Sequence, residues 1–251
     1  LSYEAVDNGS SVTVKQSVKV SGKQAENISG YGETKTSITP KKQPLNDTNT
    51  HFINNLEWTI YPDGTVVCQS VLLPRGNPLE LLRLGYELQL PANMGNVTYY
   101  GRGPEENYAD RKSGMPLGVY KTTARDSFFP YGRPQDCGNH EDTRWVAVTD
   151  DKGQGLLFGS VGAPFAFSAL PYTTTDLILA NHPVELPKTT DKTVLVLSSA
   201  TRGLGGASCG PGPMSRDIIK ANKPYPLSFF MRPVTAKSYK GEIRVPAAQL
   251  D

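Results

Sequence analysis

Short runs in which apolar and polar residues alternate, each closed by a turn bearing proline or glycine, recur through this chain. No apolar repeat of helical period lasts longer than about two turns. Leu84, Tyr86, Leu88 and Leu90 share one side of an extended run, as a half-buried strand requires. Val12, Val14, Val18 and Val20 largely repeat the pattern near the start. Leu56–Tyr61 leads through Pro62-Asp63-Gly64 into Thr65–Leu73. Proline presets the turn dihedral and glycine accepts a positive φ, so these runs predict a hairpin. A second hairpin is predicted from Trp145–Thr149 and Leu156–Ser160 across Asp150-Asp151-Lys152-Gly153. Further strands are expected at Val97–Tyr100, Phe165–Leu170, Val194–Ser198 and Tyr225–Arg232. Residues 39–51, Gly101–Arg144 and Arg202–Pro213 read as irregular, and Asp176–Asn181 as a short helix. The expected class is all-β, an antiparallel sandwich or barrel. The 251 residues suit a single β-sandwich domain over 1–251.

Charge narrows the function. The net charge is +2 and no Lys/Arg run exceeds two residues, which argues against nucleic acid as a partner. No stretch approaches the ~18 apolar residues of a membrane span. Cys68, Cys137 and Cys209 are widely spaced. They form neither a Cys-x-x-Cys pair nor an even disulfide framework. No zinc or EF-hand spacing occurs, so no metal is expected in this chain. It opens on Leu1 rather than Met, and is read as a processed or cut piece of a longer parent.

Two dense polar stretches carry the chemistry. The first is Gly101-Arg102-Gly103-Pro104-Glu105-Glu106-Asn107-Tyr108-Ala109-Asp110-Arg111. Arg102 and Arg111 can each grip a carboxylate by two bonds, with Asp110 and Glu106 as available partners. Taken alone it reads first as a knot pinning a long loop, with ligand contact as the alternative. The second runs from Pro130-Tyr131 through Pro134-Gln135 and Gly138-Asn139-His140 to Arg144-Trp145. Amides and guanidinium groups bond sugar hydroxyls, and aromatic rings cover the apolar sugar face. The same groups also satisfy buried backbone, and the residue types leave both readings open.

In order, Gly103-Pro104-x-Glu106-Asn107-Tyr108-x-Asp110-Arg111, Pro130-Tyr131-x-x-Pro134-Gln135-x-x-Gly138-Asn139, Arg144-Trp145 and Arg202-Gly203-Leu204-Gly205-Gly206 resemble the C-terminal small-chain region (domain 5) of the family 2 β-galactosidases. The resemblance covers residues 84–233; residues 1–83 match only in strand pattern. It implies a galactose mutarotase-like supersandwich, here lacking its first strands. It implies a bacterial parent whose TIM barrel holds the two catalytic glutamates of a retaining mechanism, with magnesium and sodium in that barrel. Nothing here reads as eight helices around a barrel. The chain is therefore expected to hold no catalytic residue and no cofactor, and to be inactive alone. Its expected partners are the barrel and β-sandwich domains of its own parent, with a galactoside as candidate ligand. Candidate substrate-binding or cleft-facing residues are Arg102, Glu106, Asn107, Tyr108, Asp110, Arg111, Gln135, Asn139, Arg144 and Trp145. Glu106, Asp110 and the arginines are expected to fix the loop, and Gln135, Asn139 and Trp145 to meet sugar or barrel. The tryptophan that the family carries after its Gly-Gly loop is missing, its place falling near Cys209 or Gly210. An autonomous carbohydrate-binding module and a purely structural interface domain are the competing readings.

Overall fold

The computed structural model describes residues 2–20, 51–76, 81–206 and 210–235. Its first strands are β1 (Ser2–Asp7), β2 (Val12–Val20), β3 (His51–Ile60) and β4 (Val66–Arg75), paired in sequence as antiparallel neighbours. The turn between β3 and β4 is the one the sequence predicts. Gly64 stands at φ 84°, its N–H donates to the Tyr61 carbonyl at 3.1 Å, and Asp63 Oδ1 accepts the Thr65 N–H at 2.9 Å. His51, expected in a loop, instead opens β3 opposite Arg75; residues 39–50 of that loop lie outside the described residues.

The chain continues through β5 (Arg83–Pro91), β6 (Asn96–Arg102), β7 (Leu117–Thr123), β8 (His140–Thr143), β9 (Trp145–Thr149), β10 (Gly155–Ser160) and β11 (Phe165–Leu170). After helix α1 (Thr174–Leu179) come β12 (Lys192–Thr201) and β13 (Tyr225–Val234). The helix starts two residues before the expected point because Thr173 caps it. Its hydroxyl accepts the Asp176 N–H at 3.1 Å while Asp176 Oδ2 accepts the Thr173 N–H at 2.9 Å.

The strands form two sheets in which every strand pairing is antiparallel. The nine-stranded sheet has the order β1-β2-β3-β4-β13-β10-β9-β6-β7, and the four-stranded sheet β5-β12-β11-β8. Between them lies the main core. Val97, Tyr99, Val146, Val148, Phe158 and Phe229 of the large sheet meet Phe165, Phe167, Leu195 and Leu197 of the small one, and none is more than 2% exposed. Each such burial is worth roughly 1.5–3 kcal/mol. The alternation in β5 does what it predicts: Leu84 and Leu90 are buried while Gly85, Glu87 and Gln89 are exposed. Period 2 sends the neighbours of the core residues to the outer face of the large sheet. There Trp145, Ala147, Leu157 and Phe230 form a second apolar cluster. Gly159 sits opposite Phe230, and a Cβ on it would lie 2.2 Å from that ring.

The region Gly101–Arg144, expected to be irregular, contains two strands. β7 is an edge strand with Val119 62% exposed, so its apolar residues give no clean alternation. β8 reads His-Glu-Asp-Thr and has no apolar residue at all; pairing with β11 defines it. β1, exposed along its whole length, carries no burial pattern either.

Candidate functional site

β6 ends at Arg102, and the following loop folds back beside β8. Arg102 Nε donates to Asp142 Oδ2 at 2.5 Å, and Lys112 Nζ reaches Oδ1 at 3.1 Å. Burial alone would raise the Asp142 pKa, but bonds to these two cations hold the carboxyl below its ordinary range. Arg102 Nη1 also donates to the Met115 carbonyl at 2.9 Å. The partner of Arg102 is therefore Asp142, forty positions away, rather than the nearby Glu106 or Asp110. Extended neighbours on one loop point apart, whereas β6 and β8 bring distant residues together.

Asn107 is fully buried. Its Nδ2 donates to the carbonyls of Arg102 at 3.1 Å and Glu105 at 3.0 Å, and its Oδ1 accepts the Glu141 N–H at 2.8 Å. Its own N–H donates to the Asn139 carbonyl at 2.7 Å, and Asn139 Nδ2 returns a bond to the Asn107 carbonyl at 2.8 Å. Asn139 Nδ2 also meets Glu141 Oε1 at 3.0 Å, which accepts Thr201 Oγ1 at 2.5 Å.

The remaining carboxylates stitch the loops in the same way. Glu106 accepts the Tyr131 hydroxyl on one oxygen and the Gly138 N–H at 2.7 Å on the other. Burial, and then the Glu106 bond, pushes the Tyr131 phenol up to about 12. Asp110 accepts the N–H groups of Leu204 at 3.0 Å and Gly205 at 2.7 Å. Burial opposes its ionisation, but those backbone bonds leave its pKa below the usual value. Asp136 takes a two-pronged bond from Arg83, at 2.7 and 2.8 Å, and the Tyr108 hydroxyl at 3.4 Å. His140 lies with Nδ1 3.0 Å from both the Tyr99 hydroxyl and the Arg102 carbonyl. Burial lowers its pKa to about 4, so it is neutral at pH 7.

Arg102, Glu106, Asn107, Tyr108, Asp110 and Asn139 thus belong to one set of interlocked loops. Arg144 joins them through the Asp142 carbonyl and lies 5.7 Å over the Tyr100 ring. Arg111 and Gln135 remain on the surface, Gln135 with a 3.4 Å bond to the Arg133 carbonyl. Trp145 faces away, 9% exposed in the outer-face cluster. Sequence reading missed Arg83, Asp136, Tyr131 and Asp142 as members. Tyr131, Asp136 and Asp142 lie within the polar stretch from Pro130 to Trp145 that the sequence singles out, whereas Arg83 had no such local signal. Of Cys209 and Gly210, near which the family tryptophan would fall, Cys209 lies outside the described residues.

No group of three His, Cys, Asp or Glu among the described residues could hold a metal. No helix among the described residues is long and apolar enough to cross a membrane.

The profile of the family described as "Beta galactosidase small chain" matches residues 3–231. The chain is 44% identical over 147 residues to the β-galactosidase BgaC of Bifidobacterium adolescentis, covering 57% of this chain and 14% of that protein. It is 34% identical over 179 residues to a β-galactosidase of Priestia megaterium, covering 70% and 17%. It is 41% identical over 132 residues to the β-galactosidase small subunit of Latilactobacillus sakei, covering 49% and 41%. It therefore spans less than half the length of each of these relatives, and about a sixth of the first two. Among solved structures, a galactose mutarotase related enzyme from Lactobacillus acidophilus aligns with TM-score 0.43 at 11% identity, over 98% of this chain and 74% of that one.

Proposed function

This chain belongs to the beta galactosidase small chain family, and from that premise we propose that it is a non-catalytic companion domain. It completes or walls the active-site cleft of a retaining β-galactosidase whose catalytic residues lie elsewhere in the parent. The observation that carries this reading is the occupation of the loop carboxylates. Glu106, Asp110, Asp136, Glu141 and Asp142 each accept bonds from backbone N–H groups, hydroxyls, an amide or cations. A retaining pair needs two carboxyl groups about 5 Å apart across an open substrate site. Here the carboxylates are spent on holding loops together.

In this reading Asp110 fixes the 203–205 loop from outside, and Glu106 fixes the Tyr131 loop. Their task is to present surface residues, Arg111 and Gln135 among them, to the parent's barrel or to a galactoside bound there. Asn139 and Trp145, too buried to offer a sugar platform, support that surface from behind. The parent's magnesium and sodium would act in the barrel. The test is Asp110→Ala in the full-length parent, followed with a nitrophenyl β-galactoside. Releasing the 203–205 loop should lower kcat/KM by tenfold or more while the parent stays folded. Unchanged kinetics would remove this loop from the cleft.

A further inference from the structure

Far from the interlocked loops, the register of five strands builds a second feature. Glu4, Lys15, Glu57, Gln69 and Ser228 are successive partners across β1, β2, β3, β4 and β13. They form one continuous row on the outer face of the nine-stranded sheet. Two residues along each strand runs a second row, in which Ser17, Asn55, Val71 and Pro226 are partners in turn. The middle row between them points its side chains to the other face. What remains is a trough with a backbone floor, walled by the two rows, of about 540 Å³. That volume is in the range of small-molecule sites.

We propose that this trough is a carbohydrate-binding groove for a linear oligosaccharide, separate from the loop cluster and independent of any role in the cleft. An antiparallel sheet ordinarily leaves one face to solvent, so exposure alone would mean nothing. Three features select the occupant. Lys15 lies 3.7 Å from Glu57, so the row's one cation is paired and Glu4 leaves the row net negative. It offers no cationic surface to nucleic acid or phosphate. The second row is mixed, with the hydroxyl and amide of Ser17 and Asn55 beside the apolar Val71 and Pro226, and Gln69 and Ser228 add polar groups from the first row. A pyranose has the matching pair of surfaces, a rim of hydroxyls and an apolar face. Ser17 Oγ donates to Asn55 Oδ1 at 2.9 Å, which fixes that amide with its nitrogen presented as a donor. Finally, strands spaced about 4.8 Å apart make the row roughly 19 Å long, room for several linked rings rather than one.

The test is an NMR titration of the 251-residue chain with methyl β-galactoside, lactose and galactotriose, with calorimetry of the full-length parent alongside. Affinity should rise with length, and shifts should centre on Lys15, Asn55, Gln69 and Ser228. Asn55→Ala combined with Gln69→Ala, both exposed positions, should weaken binding about tenfold. Lys121→Ala, at an exposed position on β7 at the opposite edge of the sheet, should leave it unchanged. Binding lost on Arg111→Ala but kept in the Asn55/Gln69 variant would overturn the groove and credit the loops. So would absence of saturation up to tens of millimolar, or binding to the chain that disappears in the parent. None of these outcomes bears on whether the chain is catalytic, which hydrolysis assays read separately.

Discussion

Asn107 and Asn139, thirty-two positions apart, hold each other by reciprocal bonds: a backbone N–H to a carbonyl at 2.7 Å and a side-chain amide to a carbonyl at 2.8 Å. Both are fully buried. This clasp joins the loop after β6 to the approach to β8, and the other carboxylate bonds fan out around it.

Removing the Asn107 side chain takes away the acceptor of the half-buried Glu141 N–H and a donor from the carbonyls of Glu105 and Arg102, the latter keeping only His140. Asn107→Ala should cost about 3 kcal/mol of stability, read as a shift of the urea midpoint. Gln135→Ala, at an exposed position, should change it by less than about 0.5 kcal/mol.

His140 sets a pH dependence. Its folded pKa of about 4 lies below the ordinary 6.5, so between those values the unfolded chain binds a proton that the folded chain refuses. Stability is free of this penalty above pH 6.5, falls as pH drops from there, and reaches the full penalty below about 4. Denaturant midpoints at pH 7 and pH 5 should show the decline, and His140→Gln should flatten it.

Asp110 and Asp142 act at lower pH. Both folded pKa values lie below the ordinary 3.8. Their contribution is present above that value and is lost as pH falls through the depressed folded values. Asp110→Asn should therefore reduce the acid sensitivity seen below pH 3.8, measured by circular dichroism along a pH series.

Gly159→Ala drives a methyl group into the Phe230 ring, which has no exposed surface. A loss of about 1–3 kcal/mol is expected in thermal unfolding. Trp145→Ala should cost about 3–5 kcal/mol for the opposite reason, the cavity left where the indole packs in the outer-face cluster. A binding defect in that variant would then accompany a stability defect.

Hairpins were legible in the sequence wherever a turn had its own chemistry, as at Pro62-Asp63-Gly64, and strands wherever one face is buried, as in β5. β1, β7 and β8 were not legible. Their residues are exposed, at an edge, or polar, and only pairing with a distant strand makes them strands. The motif residues were legible as a set, but their bonds were not. The Arg102–Asp142 pair depends on β6 and β8 lying together, and the Asp110 bonds to Leu204 and Gly205 span more than ninety positions. The burial of Trp145 follows from its parity in β9, which puts it on the outer face among Ala147, Leu157 and Phe230.

The most direct test of the central claim is hydrolysis of a nitrophenyl β-galactoside by three samples: the purified chain, the parent lacking this region, and the two mixed. The expected result is no turnover by the chain, reduced turnover by the shortened parent, and recovery on mixing. Turnover by the chain alone that survives purification and is lost on Glu106→Gln would contradict the account.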